Sequence, residues 1–254
     1  MSNVRTTLAT LPMSFPDPAD VVFVDGDPSW PAELERAIRS GATGIVLVHP
    51  TPVDFDLLTA DTIVVVDSPW ASNPVNGLAA QAFRAAATNG ARVECRVITP
   101  PGSDFATALL DQLALIRAVL GPVMKVQVRH LSDRALHAEG LTNLSVAVDF
   151  SIVCTTALPA SASLRLLTSD GSVELTIPSG DTALPARLIT VGPDGAVLAP
   201  TQYENGHRSS LRRLRELQAT GSADGSAELR RLQADVVTTT AALGDHLRER
   251  NAVR

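Results

Sequence analysis

Five histidines, at positions 49, 130, 137, 207 and 246, are the residues of this sequence best suited to moving protons near neutral pH. None forms a His-x-x-x-His or His-x-His pair, and Cys95 and Cys154 are too few for a four-thiolate zinc site, so no metal is expected. The residues that follow strands matter most, because open α/β sheets bind ligands at the carboxyl ends of their strands. His49 ends one short apolar run and Ser68, Trp70 and Asn73 follow the next, while Asp111 and Gln112 lie on a long apolar helix. His49 and Asp111 are therefore the candidate acid and base, and Trp70, Asn73 and Gln112 the candidate ligand contacts. Each also has a structural reading. His49 suits a strand end capped by backbone, Trp70 suits core packing, and Asp111 suits a solvent-facing helix position. Asp149, between Val148 and Phe150, reads as an outward-facing strand residue.

The elements that must position these residues change character along the chain. Val21–Val24, Gly44–Val48, Thr62–Val66 and Val93–Ile98 are short apolar runs that alternate with helical stretches at 30–40 and 73–88. That rhythm predicts a parallel, buried βαβ sheet. Ser29 fits an N-cap. Pro100-Pro101-Gly102 marks a boundary, after which Ser103 or Asp104 caps a helix through Leu120. Strands are then expected over 123–129, 144–155, 163–168, 173–177 and 184–191, with Ser169-Asp170-Gly171 and Gly192-Pro193-Asp194-Gly195 as hairpin turns. Two helices, 204–217 with an Arg208/Arg212/Arg215 stripe and 227–248, close the sequence, and Met1–Asp20 reads as an irregular lead-in. The expected fold class is α/β: a truncated Rossmann-like parallel sheet over 1–100, then an α+β half with a mostly antiparallel sheet over 101–254.

Composition narrows the function classes. The 254 residues carry 21 Lys+Arg against 27 Asp+Glu, a formal net charge of -6, which argues against a nucleic-acid partner. No apolar run approaches the roughly 18 residues of a membrane span, and no charged, then apolar, leader opens the sequence. A cytoplasmic location is the expectation. Neither a Gly-x-Gly-x-x-Gly turn nor a Gly-x-x-x-x-Gly-Lys-Ser/Thr loop is present. The turn after the first strand, Asp25-Gly26-Asp27-Pro28-Ser29, sets two carboxylates and a proline where a pyrophosphate would need free N–H groups.

Three stretches together resemble the Gfo/Idh/MocA family of nicotinamide-dependent sugar and cyclitol oxidoreductases. The run from Ala19-Asp20-Val21-Val22-Phe23-Val24, through Ala37-Ile38-Arg39-Ser40-Gly41-Ala42, to Ile45-Val46-Leu47-Val48-His49-Pro50 is similar to the family's strand, helix and Glu-Lys-Pro segment. Ala108-Leu109-Leu110-Asp111-Gln112 through Leu120-Gly121-Pro122-Val123 resembles the helix that carries the family's catalytic Asp and His. Leu164–Leu175 resembles the hairpin ending in Asp-Gly-Ser-x-Glu-Leu. The likeness spans roughly residues 19 to 250, and it implies a sugar-like ligand and an oligomer built on the antiparallel sheet.

The departures shape the expected function. The family opens with a glycine-rich βαβ unit of about 30 residues, and only about twenty precede Val21 here. The resemblance puts His49 at the family's lysine. Counted back without a gap from Leu120-Gly121, it puts Asp111 at the family's histidine; matching Leu110-Asp111-Gln112 directly leaves that histidine without a counterpart. The expectation is a homologue that has lost its own NAD(P) site, with no cofactor. It would serve as an accessory subunit with itself or a full-length homologue, joined through the antiparallel sheet. The alternatives are a cofactor-independent lyase, isomerase or hydrolase using His49 and Asp111 on a polyol or sugar-like substrate, and an NAD(P)-dependent oxidoreductase with an atypical cofactor site.

Overall fold

Two kinds of apolar pattern divide the chain between two sheets. The computed structural model describes residues 21–56, 62–88, 90–182, 184–220 and 225–252, with side chains described except at 225–226 and 249–252. The expected lead-in Met1–Asp20 lies outside these residues. Strands β1 (Val21–Asp25), β2 (Gly44–Val48) and β3 (Ile63–Asp67) form a parallel sheet in the order β1-β2-β3. All five residues of β2 are buried, as expected of a parallel strand covered on both faces. Helix α1 (Trp30–Arg39) covers one face, where Trp30, Leu34, Ile45, Leu47 and Val64 cluster. Ser29 stands at its N-cap position but makes no side-chain capping bond.

Helix α2 (Val75–Ala86) then leads to β4 (Arg92–Thr99), whose residues alternate between exposed and buried. This strand corrects the sequence expectation. It does not extend the parallel sheet but enters an eight-stranded one, running parallel to β7 (Ala147–Cys154) and antiparallel to β8 (Ser161–Leu167). The physical reason lies in its charges. Arg92, Glu94 and Arg96 hold every second position, which a strand covered on both faces would have to bury. The change of sheet therefore precedes Arg92, not the boundary expected at residue 100.

Helix α3 (Phe105–Val119) is capped by Asp104, whose carboxylate accepts from the Ala106 and Thr107 N–H groups. It is buried along most of its length, as its apolar sequence predicts. Strands β5 (Val123–Leu131), β6 (Ala135–Thr142), β9 (Ser172–Pro178), β10 (Arg187–Gly192) and β11 (Gly195–Leu198) complete the large sheet in the order β11-β10-β9-β8-β4-β7-β6-β5. β6 and β11 escape the sequence reading; β6 is mixed in polarity and β11 is fully exposed. One face of the sheet packs on α2 and α3 around Phe83, Leu109, Leu113 and Phe150. Helices α4 (Gly206–Thr220) and α5 (Gly225–Ala252) return to the small sheet, α4 placing Leu211 and Leu214 against Val46, Val48 and Val65, and α5 placing Leu229 and Val236 on the opposite side. The fold is thus mixed α/β, with a parallel three-stranded sheet and a mostly antiparallel eight-stranded one. No helix among the described residues is long and apolar enough to cross a membrane.

Phe150 sits fully buried on β7. Phe150→Ala is expected to cost about 3–5 kcal/mol of unfolding free energy, from lost transfer and the cavity left behind. Urea denaturation checks this, and a loss below about 1 kcal/mol would show that the ring is not packed as described.

Candidate functional site

The site begins where β2 stops. His49 adopts a left-handed backbone conformation (φ 49°), which costs a non-glycine residue about 1–2 kcal/mol and is held here by its neighbours. Its N–H donates to the Asp67 carbonyl (2.8 Å), and the next turn is clamped by Thr51 N–H to the Gly26 carbonyl (2.7 Å). Gly26 is required by close approach, since a Cβ there would lie 2.2 Å from the His49 carbonyl oxygen. These bonds aim the imidazole at α3.

On α3, Asp104, Thr107, Ala108 and Asp111 recur at helical spacing and line a cleft of about 470 Å³. His49, Pro69, Trp70, Thr99 and His207 form its other walls. His49 Nε2 lies 2.8 Å from Asp111 Oδ2, and Ser68 Oγ donates to Asp111 Oδ1 at 3.2 Å. Asp111 is therefore buried (5% exposed) and doubly bonded, not on a solvent face. The Asp111 carboxylate drives the His49 pKa up to about 9, against the desolvation that opposes it, with smaller help from Asp67 and Asp25. At neutral pH His49 is an imidazolium.

A second pair stands beside the first. His207 Nδ1 lies 2.5 Å from Asp67 Oδ2, and Ser210 Oγ donates to Asp67 Oδ1 at 2.8 Å. Asp67 is fully buried. The two carboxylates share one pattern, with a histidine from the cleft on one oxygen and a serine on the other. Asp67, His207 and Ser210 were not singled out from sequence. The one signal was the place of Asp67 at a strand end, since nothing in a separation of 140 residues links it to His207.

The candidate ligand contacts divide. Trp70 lines the cleft while packing into the core with Val75 and Phe83. Asn73 does not reach this cleft. Its Oδ1 accepts from Val75 N–H (3.1 Å) at the start of α2, and it borders a neighbouring groove. Gln112 corrects the sequence reading outright. It is wholly buried, and its Nε2 donates to the Cys95 carbonyl (2.9 Å) on β4 and the Ser151 carbonyl (3.1 Å) on β7. The residue next to Asp111 on a helix points about 100° away, which here is into the large sheet. Asp149 pairs with Arg92.

The strand–helix turn after β1 does not suit a dinucleotide's phosphates. The Asp27 carboxylate already accepts from Ser29 N–H (2.8 Å) and Ser29 Oγ (2.6 Å) ahead of α1, where a phosphate would need those donors. Among the described residues no three His, Cys, Asp or Glu side chains are grouped to hold a metal.

Because its folded pKa lies above the ordinary 6.5, the His49–Asp111 pair contributes stability that is complete below pH 6.5 and is lost as pH rises through about 9. The His49 ring signal in NMR is expected to titrate near 9 in the wild type, and to fall to 6.5 or below in Asp111→Asn. The same midpoint in both proteins would remove Asp111 as the cause.

No family model matches the sequence, and no curated protein does. Solved structures do match its fold. The 3-ketoreductase KijD10 of Actinomadura kijaniata, in complex with NADP, superposes with a TM-score of 0.65 at 15% identity, covering 89% of this chain and 77% of that one. An oxidoreductase of Agrobacterium radiobacter, in complex with NAD+, L-tartaric acid and magnesium, gives 0.60 at 14% identity, with 89% and 77% covered. At such identity the likeness concerns the fold alone: this chain shares the mixed α/β architecture of those two solved oxidoreductases.

Proposed function

We propose that this chain binds a small hydroxylated or keto compound of the polyol or sugar class in the His49 cleft, and exchanges a proton with a ligand oxygen through His49. The observation that carries the reading is the His49 Nε2 contact to Asp111 Oδ2 (2.8 Å) in the wall of a cleft, a contact that favours the imidazolium. Among the described residues its Nδ1 has no bonded partner, so a proton remains to be given. Donation to a carbonyl oxygen as charge develops there lowers the barrier, typically by 10²–10⁴-fold in rate. His207, held through Nδ1 by Asp67, brings a second imidazole to the same cleft, and in this reading its Nε2 takes the carbon-bound proton next to that carbonyl. The His49 proton goes to oxygen and the carbon proton to His207, so no redox partner is needed. The solved relatives in fold support the ligand class, one being a 3-ketoreductase and another holding L-tartaric acid.

In D2O the protein is expected to exchange the hydrogen beside the carbonyl of at least one member of a keto-sugar panel. His49→Gln should slow that exchange by about 100-fold or more. An unchanged rate in the variant, or no exchange across the panel, would sink the reading.

The accessory role rests on a separate observation. Among the described residues one face of the eight-stranded sheet carries no helix, and that face bears both charges in register. Glu94 stands opposite Arg165, Arg165 opposite Glu174, and Arg129 is bonded to Glu139. A surface with both signs is able to meet its own copy about a two-fold axis, so we take the partner to be a second copy. Light scattering after gel filtration is expected to give the dimer mass for the wild type and the monomer mass for Arg165→Glu. A monomeric wild type, or a stable complex formed only with a full-length homologue, would overturn the second-copy assignment.

A further inference from the structure

A groove of about 750 Å³, larger than the His49 cleft, lies behind Ser68 and Ser210, on the far side of the two carboxylates from that cleft. It runs between α2, the end of α3, the start of α4 and α5. Four arginines line it (Arg84, Arg117, Arg213 and Arg231) against two carboxylates, Glu228 and Asp235. That balance is the reverse of the whole chain, whose formal net charge is -6.

Two of the arginines are committed. Arg117 makes a two-pronged bond to Asp235 (2.8 and 2.6 Å), and Arg213 Nη2 lies 2.7 Å from Glu228 Oε1. Glu228 is also tied down by Val66 N–H on β3 (2.7 Å). Arg84 and Arg231 are not bonded to any carboxylate among the described residues. Arg231 acts on Glu228 only through space, so both guanidinium groups keep their donors for a ligand, and their two charges match those of a phosphate dianion. The groove also offers an acceptor. Asn76 is 6% exposed, and its Nδ2 donates to the Trp70 and Ala71 carbonyls (2.9 Å each), while Oδ1 is buried with no partner. A buried carbonyl oxygen without a donor calls for one, and a ligand hydroxyl supplies it.

We propose that this groove is a binding site for a phosphorylated polyhydroxy compound, its phosphate neutralised by Arg84 and Arg231 and one hydroxyl donating to Asn76. Arg84 and Asn76 lie eight residues apart on α2, about 12 Å along the axis, and both line the groove. That span suits a monosaccharide phosphate. The small residues Gly77, Ala80, Ala114 and Ala118 leave the room between. The serines Ser68, Ser72, Ser209 and Ser210 add hydroxyls along the walls.

Titration calorimetry of the full chain at low salt tests this with three probes: glucose 6-phosphate, inorganic phosphate and glucose. Saturable binding is expected for glucose 6-phosphate, at least tenfold weaker binding for inorganic phosphate, and none for glucose. Affinity should fall as salt rises. The Arg84→Gln/Arg231→Gln protein should bind glucose 6-phosphate at least tenfold more weakly with an unchanged melting curve, while Arg134→Gln, on an exposed turn, should bind as the wild type does. No saturable binding, or full affinity in the doubly substituted protein, would overturn the site. Equal affinity for the two phosphates would overturn the hydroxyl contact at Asn76.

Discussion

The Asp111 carboxylate is the constraint on which this structure turns. It sits at 5% exposure on a helix whose neighbours are leucines, and an ionised carboxylate in such a place costs several kcal/mol unless it is bonded. His49 and Ser68 supply the bonds, one from the end of β2 and one from just beyond β3. The demand for partners thus draws two loops of the parallel sheet onto the helix that opens the antiparallel half. The cleft follows from it, because loops that converge on a helix at its polar positions leave a hollow beside them. The left-handed turn at His49 is part of the same solution, since it lets the residue give its N–H to Asp67 while its ring reaches Asp111.

The second carboxylate repeats the solution one strand over. Asp67 ends β3 under α4, and it takes His207 and Ser210 from that helix. Two buried acids, each bonded by one histidine and one serine, make a polar wall between the His49 cleft and the larger groove. Each serine borders the groove, and each histidine borders the cleft. A change in hydrogen bonding on one side therefore reaches a carboxylate that the other side uses. Hydrogen bonds inside a wall of low dielectric polarise one another more than they would in water.

Much of this architecture was legible because it rests on local pattern. The continuous run Gly44–Val48 and the alternation across Val173–Ile177 told buried from half-buried strands, and Ser103 or Asp104 marked the start of α3, the structure choosing Asp104. His49 and Asp111 were each legible as candidates, from a strand end and an acid set among leucines, but their bond to one another was not. What escaped depended on tertiary context. β4 is apolar enough to read as a parallel strand, and only its charged alternate positions betray the open face it occupies. Gln112 looked like a ligand contact because it adjoins Asp111, but one step along a helix turned it toward two backbone carbonyls. His207 was passed over because its partner lies in the other half of the chain.

The sequence resemblance sets His49 where the enzymes of the Gfo/Idh/MocA family carry a lysine and Asp111, by the ungapped count, where they carry a histidine. Taken singly, each exchange weakens the site. A histidine in water is mostly neutral at pH 7 and a lysine is charged, the ordinary values being about 6.5 and 10.4. Taken together they compensate. A carboxylate 2.8 Å away restores the positive charge on the imidazole and lifts its pKa to about 9, most of the way to a lysine's. The proton donor is thereby kept at neutral pH, on a ring that is shorter and stiffer than a lysine stem. What is lost is the net positive charge of the pair, because Asp111 brings a negative charge with it. Such a site gives a proton to a developing alkoxide but holds a standing anion less well than a lysine would. In the reading proposed above, that difference suits a neutral hydroxylated or keto ligand in the His49 cleft, with the proposed anion site in the groove where the arginines stand.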